Sequence, residues 1–165
     1  MDIENYCIEE LSRIHDRTGF SCGVVELDQY LQRDARRHNV SGFNYTKVLV
    51  ENGKNNIIGF YSYAAASLSR QSFPTDQLNK LPNHEIPCFR LTRFGIDIRY
   101  QKSGFGAYLL YCALKHAVEL SSNIGGYAKN EGVKSFYIKH GFYPLSGLLL
   151  YLPIKEIRAE LSVSK

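Results

Sequence analysis

Hydrophobic and polar residues follow two different periods along this chain, and each change of period marks a boundary between predicted elements. Apolar positions that alternate with polar ones, with β-branched residues among them, predict strands. The predicted strands are 3–11, 46–51, 57–68, 88–97, a short one at 124–128 and a final one at 148–154. The turn-forming run "NGKNN" (52–56) predicts a hairpin, so the strands on either side of it should be antiparallel neighbours.

Apolar residues spaced three or four positions apart predict helices between these strands. The predicted helices are 25–38, "GFGAYLLYCALKHAVEL" (104–120), 131–141 with Gly141 as its C-cap, a short one at 75–80 within the loop 69–87, and a frayed one after 154. The order strand, helix, antiparallel pair, strand–helix–strand crossover, helix and strand predicts a mixed α/β fold. A single domain spanning 1–165 is expected, because the chain shows no repeat and no linker.

The composition is that of an ordinary globular protein, with 44% hydrophobic and 22% charged residues among 165. No apolar run approaches the roughly 20 residues of a membrane helix. The acidic start "MDIENYCIEELSR" lacks the apolar core of a secretory signal, so we expect a cytoplasmic protein with no membrane contact. The four cysteines and five histidines show no ligand-pair spacing, and no metal is expected.

Basic residues are concentrated in two segments, although the net charge is only +4. These segments are "RDARRHN" (33–39) and "RLTRFGIDIRYQK" (90–102). Together they can form one surface that attracts phosphate, and neither shows the interleaved aromatic residues of an RNA-binding segment. The arginines singled out are Arg33, Arg36, Arg37, Arg90 and Arg93. A solvated helix face explains such a run equally well.

The stretch "RYQKSGFGAYLL" (99–110) joins the strand at 88–97 to the long helix through Gly104 and Gly106. A glycine-rich turn at a helix N-terminus presents unpaired N–H groups and the positive end of the helix dipole, and this combination binds pyrophosphate. The spacing differs from that of a Walker A loop, and Tyr108 or Leu109 stands where a Rossmann loop has its third glycine. The alternative is an ordinary strand–turn–helix junction in which the glycines serve tight packing.

This stretch resembles the pyrophosphate-binding signature of the GCN5-related N-acetyltransferases, which use acetyl-CoA. "NEGVKSFYIKHGFYPL" (130–145) resembles their later helix, and "HDRTGFSCGVVELDQYLQRDARRHN" (15–39) is similar to the N-terminal segment of the toxins of this superfamily. Those toxins pair with ribbon–helix–helix antitoxins and acetylate the amino group of aminoacyl-tRNA, which stops translation. The resemblance covers most of 14–153 and implies a mostly antiparallel sheet with a central strand–loop–helix crossover and flanking helices.

The resemblance also implies roles for individual residues. The strand before the loop would pair with the pantetheine arm, the loop would hold the pyrophosphate, and Asn130 would touch the coenzyme while capping the next helix, or only cap it. The implied coenzyme-binding residues are Phe94, Gly95, Ile96, Asp97, Gln101, Lys102, Ser103, Gly104, Phe105, Gly106 and Asn130. Tyr137 is the implied general acid that protonates the leaving thiolate, or else a core aromatic residue flanked by Phe136 and Phe142.

The implied function is the transfer of an acetyl group from acetyl-CoA to a primary amine, that of an aminoacyl-tRNA, by a toxin that blocks translation. The implied partners are the tRNA, a ribbon–helix–helix antitoxin and a second copy in a homodimer, with the five arginines as candidate contacts for RNA or antitoxin. Two alternatives stay open: an acetyltransferase for a small-molecule or protein amine, and a non-catalytic domain that only binds a partner.

The segment after the long helix departs from the family pattern. "SSNIGGYAKNEG" (121–132) leaves room for only a short fifth strand, weakened by two glycines, where relatives have a longer one. Five strand residues return about 17 Å, whereas a helix of about 16 residues climbs about 24 Å. This mismatch predicts a distorted cleft and acetyl transfer that is weak or lost.

Overall fold

The computed structural model describes residues 2–73, 75–121, 127–131, 134–146 and 149–163. Backbone contacts divide the chain into two compact units. The first comprises Met1–Ala64 and Thr92–Ala113, and the second comprises Ala65–Leu91 and Leu114–Lys165. Each unit has a buried apolar cluster of its own. No helix within the described ranges is both long enough and apolar enough to cross a membrane.

The sheet begins with β1 (Tyr6–Glu10), β2 (Tyr45–Glu51), β3 (Ile57–Leu68) and β4 (Ile86–Ile96), in that order. The first unit holds β1, β2, β3 up to Ala64 and β4 from Thr92 onward. β1 pairs antiparallel with β2, and β2 pairs antiparallel with β3. The predicted hairpin between 46–51 and 57–68 is therefore confirmed. The first strand is shorter than the predicted 3–11, because a 3₁₀ turn capped by the Asp2 carboxylate precedes it.

The helix predicted at 25–38 is present but is not a uniform α-helix. It runs as α1 (Val25–Gln29), a π-helical turn (Tyr30–Asp34) and α2 (Ala35–Val40). The π turn carries the buried residues Tyr30 and Leu31. Apolar spacing did not predict this turn, because a single added residue in one turn changes the direction of side chains without changing their chemical type.

The buried cluster of the first unit joins this helical segment to the strands. Its members include Leu11, Phe20, Cys22, Tyr30, Leu31, Ala35, Val48, Val50, Ile57 and Phe60. Three hydroxyl groups are buried with it: Thr46 Oγ1 lies 2.7 Å from Ser62 Oγ and 3.3 Å from the Tyr30 hydroxyl. Asn39 of α2 accepts a hydrogen bond from the Thr46 N–H at 2.7 Å and donates one to the Thr46 carbonyl at 3.0 Å. The arginine-bearing helix is thereby fixed to β2.

Gly59 in β3 allows β4 and the helix that follows it to approach β3 closely. A Cβ at this position would lie 2.5 Å from Ile96 Cδ1 and 3.0 Å from both the Gly95 carbonyl oxygen and Leu109 Cδ2. We expect Gly59→Ala to lower the free energy of unfolding by about 1–3 kcal/mol, as overpacking of a buried site does. Urea unfolding measures this loss, and adding Ile96→Val, which removes the nearest methyl group, should recover part of it. Equal stability of Gly59→Ala and the wild type would contradict the close approach.

The long helix α3 (Phe105–Ser121) agrees with the predicted 104–120. Phe105 packs edge-on against Tyr6 of β1, with the ring centroids 5.0 Å apart. Tyr63 of β3 donates its hydroxyl proton to the Ala113 carbonyl at 2.8 Å. These contacts fix the first half of α3 within the first unit, so that its N-terminus directly follows the turn after β4.

The second unit continues β4 with β5 (Tyr127–Glu131), β7 (Leu149–Pro153) and β6 (Tyr143–Ser146), in that sheet order. β5 is parallel to β4 and antiparallel to β7. The described part of the fifth strand, Tyr127–Glu131, overlaps the end of the predicted 124–128 and extends beyond it. Residues 122–126 lie outside the described residues, and pairing with β7 extends the strand to Glu131.

The pairing of β5 corrects the interpretation of Asn130. This residue was predicted to cap the later helix, but it lies inside β5 opposite Leu91 of β4 and Leu150 of β7. The next residue, Glu131, is still part of β5, so Asn130 is not the N-cap of the helix α4 (Lys134–Lys139). The physical reason is strand pairing on both sides, which holds the backbone of residue 130 extended.

Gly141 ends α4 as predicted. Its φ of +87° is in the left-handed region, where glycine is favoured. The Gly141 N–H donates to the Ile138 carbonyl at 3.1 Å, and the Phe142 N–H donates to the Tyr137 carbonyl at 3.1 Å. This pair of bonds is the Schellman arrangement, and it fixes the backbone of Tyr137 against the turn.

The predicted final strand 148–154 is the second strand of a hairpin, because β6 pairs antiparallel with β7. Sequence reasoning missed β6 since Pro144 interrupts its alternation. Proline is tolerated there because β6 is the edge strand. The helix expected after 154 is confirmed as α5 (Ile154–Val163), and the short helix at 75–80 is confirmed as a 3₁₀ helix.

Candidate functional site

The turn between β4 and α3 brings most of the predicted coenzyme-binding residues together. After β4 the Asp97 N–H donates to the Ile58 carbonyl at 2.9 Å, and a 3₁₀ turn follows. Lys102 has a φ of +61° and Gly104 a φ of +91°. A non-glycine residue at positive φ is uncommon, and these two left-handed residues turn the chain from the strand into the helix.

The main-chain N–H groups of this turn form no well-aligned main-chain hydrogen bond among the described residues. These N–H groups are those of residues 102–107, and the ladder of α3 starts with the Tyr108 N–H on the Gly104 carbonyl at 3.1 Å. A Cβ on Gly104 would meet no atom within 4 Å. A row of unpaired N–H groups with open space beside it, at the positive end of a helix, is suited to bind a diphosphate.

Asp97 anchors the start of this turn from within the protein. Its carboxylate is 1% exposed and accepts from Arg99 Nε at 2.8 Å, from Arg99 Nη2 at 2.9 Å and from the Ser21 N–H at 3.1 Å. Burial alone would raise the pKa of Asp97, but the hydrogen bonds from Arg99 and Ser21 outweigh it and hold the pKa below its ordinary value. The side chain of Asp97 therefore positions the turn.

Gln101 and Asp28 complete this anchor. Gln101 Nε2 donates to the Cys22 carbonyl and to the Ile96 carbonyl, both at 2.9 Å. Asp28 accepts from the Cys22 N–H at 2.7 Å and from Ser21 Oγ at 2.8 Å. Sequence reasoning missed the positioning roles of Ser21 and Arg99, because their contacts join segments far apart along the chain.

Removal of the Asp97 charge should cost stability in a pH-dependent way. The pKa of Asp97 is lower in the folded chain than in the unfolded one, so the carboxylate stabilises the fold above about pH 4, and this contribution is lost as the pH falls through the folded pKa. We expect Asp97→Asn to lower the free energy of unfolding by about 1.5–3 kcal/mol at pH 7. Urea unfolding at pH 7 and pH 3 measures this loss. The gap in unfolding free energy between Asp97→Asn and the wild type should be smaller at pH 3 than at pH 7. A gap that is independent of pH, or equally large in the exposed control Asp76→Asn, would contradict this role.

Two titratable groups near the turn remain neutral at physiological pH. Burial raises the pKa of Tyr108 to about 12, with a further contribution from Cys112. Burial, followed by the hydrogen bond with Asp28, raises the pKa of Cys22 to about 11. Neither group therefore places a negative charge beside the N-terminus of α3, where an anion would bind.

The end of β4 supplies the second part of the site. The β4–β5 ladder covers Cys88–Leu91, and β4 continues beyond the last pair through 92–96. Phe94 and Ile96 share one face of this segment, since side chains alternate along a strand. Gly95 is on the other face, where a Cβ would lie 3.1 Å from Phe60 Cε1, so its role is close packing.

Tyr137, the predicted acid, and Asn130 belong to the second unit. Tyr137 lies in α4 and is 4% exposed. Its ring packs edge-on against Phe136 and Phe142, with centroid distances of 5.2 Å and 5.3 Å. The aromatic packing and the Schellman turn together give Tyr137 a fixed position within its unit.

An arginine of the second predicted basic segment contacts the helical segment that carries the first. The Arg93 guanidinium lies over the Tyr30 ring, 3.8 Å from its centroid, which is a cation–π contact. Arg33 and Arg37 are exposed on the helical segment, and Arg37 bonds Asp34 at 2.7 Å. Arg90 belongs to the second unit, and strand alternation puts its side chain on the face of β4 opposite to that of Arg93.

No metal-ligand cluster is found in the part of the chain that the structure describes: no three His, Cys, Asp or Glu side chains are placed to hold an ion. All four cysteines are free thiols.

No family model matches the chain. It is 30% identical over 156 residues to a tRNA-acetylating toxin of Mycobacterium tuberculosis, which covers 90% of this chain and 92% of that toxin. The chain belongs to the tRNA-acetylating toxins. It is also 28% identical over 160 residues to a probable toxin TacT of Sinorhizobium fredii, with 88% of each chain covered.

Solved structures agree with the membership of this tRNA-acetylating toxin in the acetyltransferase superfamily. A tyrosine-to-phenylalanine mutant of the toxin KacT superposes with a TM-score of 0.89 at 26% identity, covering 94% of this chain and 99% of that one. AtaT complexed with acetyl-methionyl-tRNAfMet has a TM-score of 0.87 at 26% identity, with the same coverage. AtaTR bound with AcCoA has a TM-score of 0.83 at 26% identity, covering 96% and 99%. The predicted fold and superfamily are confirmed.

Proposed function

We propose that this chain transfers the acetyl group of acetyl-CoA to the α-amino group of an aminoacyl-tRNA and so blocks translation. The amine nitrogen attacks the thioester carbonyl and forms a C–N bond, and it gives up a proton to water. The C–S bond breaks, and the departing thiolate takes up a proton. The observation that carries the proposal is the row of N–H groups at residues 102–107, which make no well-aligned main-chain hydrogen bond in the part of the chain that the structure describes. Such a row holds the diphosphate of a coenzyme without side-chain charge.

The coenzyme would lie along the turn and the end of β4. The N–H groups of Lys102, Ser103, Gly104, Phe105 and Gly106 would hold the diphosphate, with Gln101 fixing the entry of the turn. The backbone of Phe94–Ile96 would pair with the amide groups of the pantetheine arm, as an added strand pairs with a strand end. Tyr137 would donate its phenolic proton to the departing sulfur, since an ordinary phenol has a pKa of about 10 and can act as an acid at neutral pH.

We propose tRNA as the substrate because the Mycobacterium tuberculosis relative is named a tRNA-acetylating toxin, and because AtaT has been solved in complex with acetyl-methionyl-tRNAfMet. Arg33, Arg36, Arg37 and Arg93 would contact its phosphates, in keeping with the net charge of +4. Weak or lost acetyl transfer was predicted from a shortened return strand that contains two glycines, but the described residues of β5 pair with β4 on one side and with β7 on the other. We therefore propose an active enzyme.

As a member of a toxin family, the chain is proposed to act in the cytoplasm and to be neutralised by an antitoxin. A ribbon–helix–helix antitoxin and a homodimer are the proposed assemblies. The exposed arginines of α2 and of the π turn offer a basic surface that an acidic antitoxin segment would cover.

Transfer of radiolabelled acetyl from acetyl-CoA tests this function. The expected result is label on the amino acid of aminoacyl-tRNA, none on deacylated tRNA, and arrest of translation in a cell-free extract. Label on small or protein amines alone would identify a different acetyltransferase. No transfer to any amine, despite a folded chain, would indicate a domain that only binds a partner.

A further inference from the structure

An exposed aromatic ring stands beside the arginine-bearing helix, in the loop that follows α2. Phe43 is 72% exposed, although most large apolar side chains of the first unit are buried. Exposing the apolar surface of a phenyl ring to water is unfavourable in free energy. Neither the coenzyme turn nor the anchor around Asp97 uses this ring.

The backbone holds Phe43 in one place. Its N–H donates to the His38 carbonyl at 3.0 Å, and the Gly42 N–H donates to the Asn39 carbonyl at 3.2 Å. Gly42 has a φ of +71°, which only glycine adopts readily. The exposed ring is therefore carried on a closed turn at the end of α2, and its presentation costs little ordering entropy when a ligand binds.

Phe43 is the outer member of a series of rings in edge-to-face contact. Its edge-to-face contact with His38 has a centroid distance of 5.9 Å, and His38 contacts Tyr30 at 5.7 Å. Arg93 then lies over the Tyr30 ring at 3.8 Å. One side of Phe43 is thus supported by His38, and the space beside the neighbouring Gly42 is open, with no atom within 4 Å of a Cβ built there.

The charge around the ring favours a polyanion. Arg33, Arg36 and Arg37 precede it within 33–39, and the one acid of that range, Asp34, is bonded to Arg37 at 2.7 Å. Phe43 together with the exposed Val40 offers about 300 Å² of apolar surface at most, whereas a stable protein interface needs about 800 Å² on each partner. A single flat ring surrounded by arginines matches one unpaired base and the phosphates that flank it.

We propose that Phe43, supported by His38, is a stacking platform for an unpaired base of the aminoacyl-tRNA, with Arg36 and Arg37 on the adjoining phosphates. This inference rests on the proposed function and adds a subsite to it. Stacking of a base on an aromatic side chain changes affinity by about tenfold to a hundredfold. The platform accepts any base, because every base has a π face, and therefore contributes affinity without selecting the tRNA.

Substitutions of Phe43 distinguish a requirement for a flat aromatic ring from a requirement for any apolar side chain of similar size. We expect Phe43→Ala and Phe43→Leu to raise the KM for aminoacyl-tRNA about tenfold to a hundredfold. The kcat at saturating tRNA and the KM for acetyl-CoA should stay within about twofold. Phe43→Trp should keep the wild-type KM. The matched control is Tyr111→Ala, which removes another exposed aromatic ring, 45% exposed on α3, and should change neither constant.

A second measurement does not depend on acetyl transfer. A tRNA with 2-aminopurine as the terminal base of its unpaired 3′ end should lose fluorescence on binding the wild type and keep it with Phe43→Ala. Equal quenching and an unchanged KM in that variant would overturn the platform. The platform would also be overturned if Phe43→Ala kept the wild-type KM but changed the oligomeric state measured by light scattering, or no longer formed the antitoxin complex. If the wild type transfers no acetyl to tRNA, the proposed function fails, and the fluorescence titration still decides the platform.

Discussion

Gly104→Asp is expected to weaken acetyl-CoA binding by about a hundredfold, which corresponds to about 3 kcal/mol. Gly104 has a φ of +91°, so any side chain here strains the backbone. No atom lies within 4 Å of a Cβ at this position, and the new carboxylate would stand among the unpaired N–H groups of residues 102–107. It would compete for those donors and repel the diphosphate. Calorimetric titration with acetyl-CoA measures the loss.

The chain offers a matched control for backbone strain. Gly53, in the turn between β2 and β3, has a φ of +74° and also no atom within 4 Å of a Cβ. Gly53→Asp should lower the melting temperature about as much as Gly104→Asp while leaving the affinity for acetyl-CoA unchanged. Equal losses of affinity in both variants would trace the effect to general destabilisation. Unchanged affinity in Gly104→Asp would remove the turn as the diphosphate site.

The strand–turn–helix unit could be predicted from sequence because its determinants are local. Alternation predicted the strand before the turn, the glycines predicted the turn itself, and helical spacing predicted α3. Gly141 was predictable for the same reason, since a C-terminal glycine forms its bonds with the turn it ends. The φ of +61° at Lys102 could not be predicted from the sequence, because lysine has no preference for the left-handed region.

The remaining parts of the site depend on partners that are distant along the chain. Asp97 and Ser21 are 76 positions apart, and their hydrogen bond exists only once β4 lies beside the segment before α1. The same holds for Arg93 on the Tyr30 ring, a pairing of aromatic and basic residues that neither basic segment shows by itself. Asn130 illustrates the opposite case. Asparagine is a residue type that often caps helices, but Asn130 lies in β5, because strand pairing on both sides stabilises this position more than a cap would.

Tyr137→Phe is expected to lower kcat for acetyl transfer by about a hundredfold to ten-thousandfold, the range for loss of a general acid. Acetyl-CoA affinity should remain within about twofold, because the proposed diphosphate and pantetheine donors belong to the turn and to β4. The ring stays packed between Phe136 and Phe142, so the phenylalanine fills the same volume. Tyrosine-to-phenylalanine mutants of KacT and AtaT have been solved, so loss of one tyrosine hydroxyl is compatible with this fold.

Tyr151→Phe is the matched control for Tyr137→Phe. Tyr151 is also 4% exposed in the second unit, and its hydroxyl donates to Gln77 Oε1 at 2.7 Å. Each variant loses one hydroxyl from a buried ring, so each should lose about 1 kcal/mol of unfolding free energy. Only Tyr137→Phe should lose kcat, and the loss should appear in single-turnover transfer to aminoacyl-tRNA, where product release plays no part. A comparable loss of kcat in both variants would assign Tyr137 to packing, and full activity of Tyr137→Phe would require another donor for the thiolate.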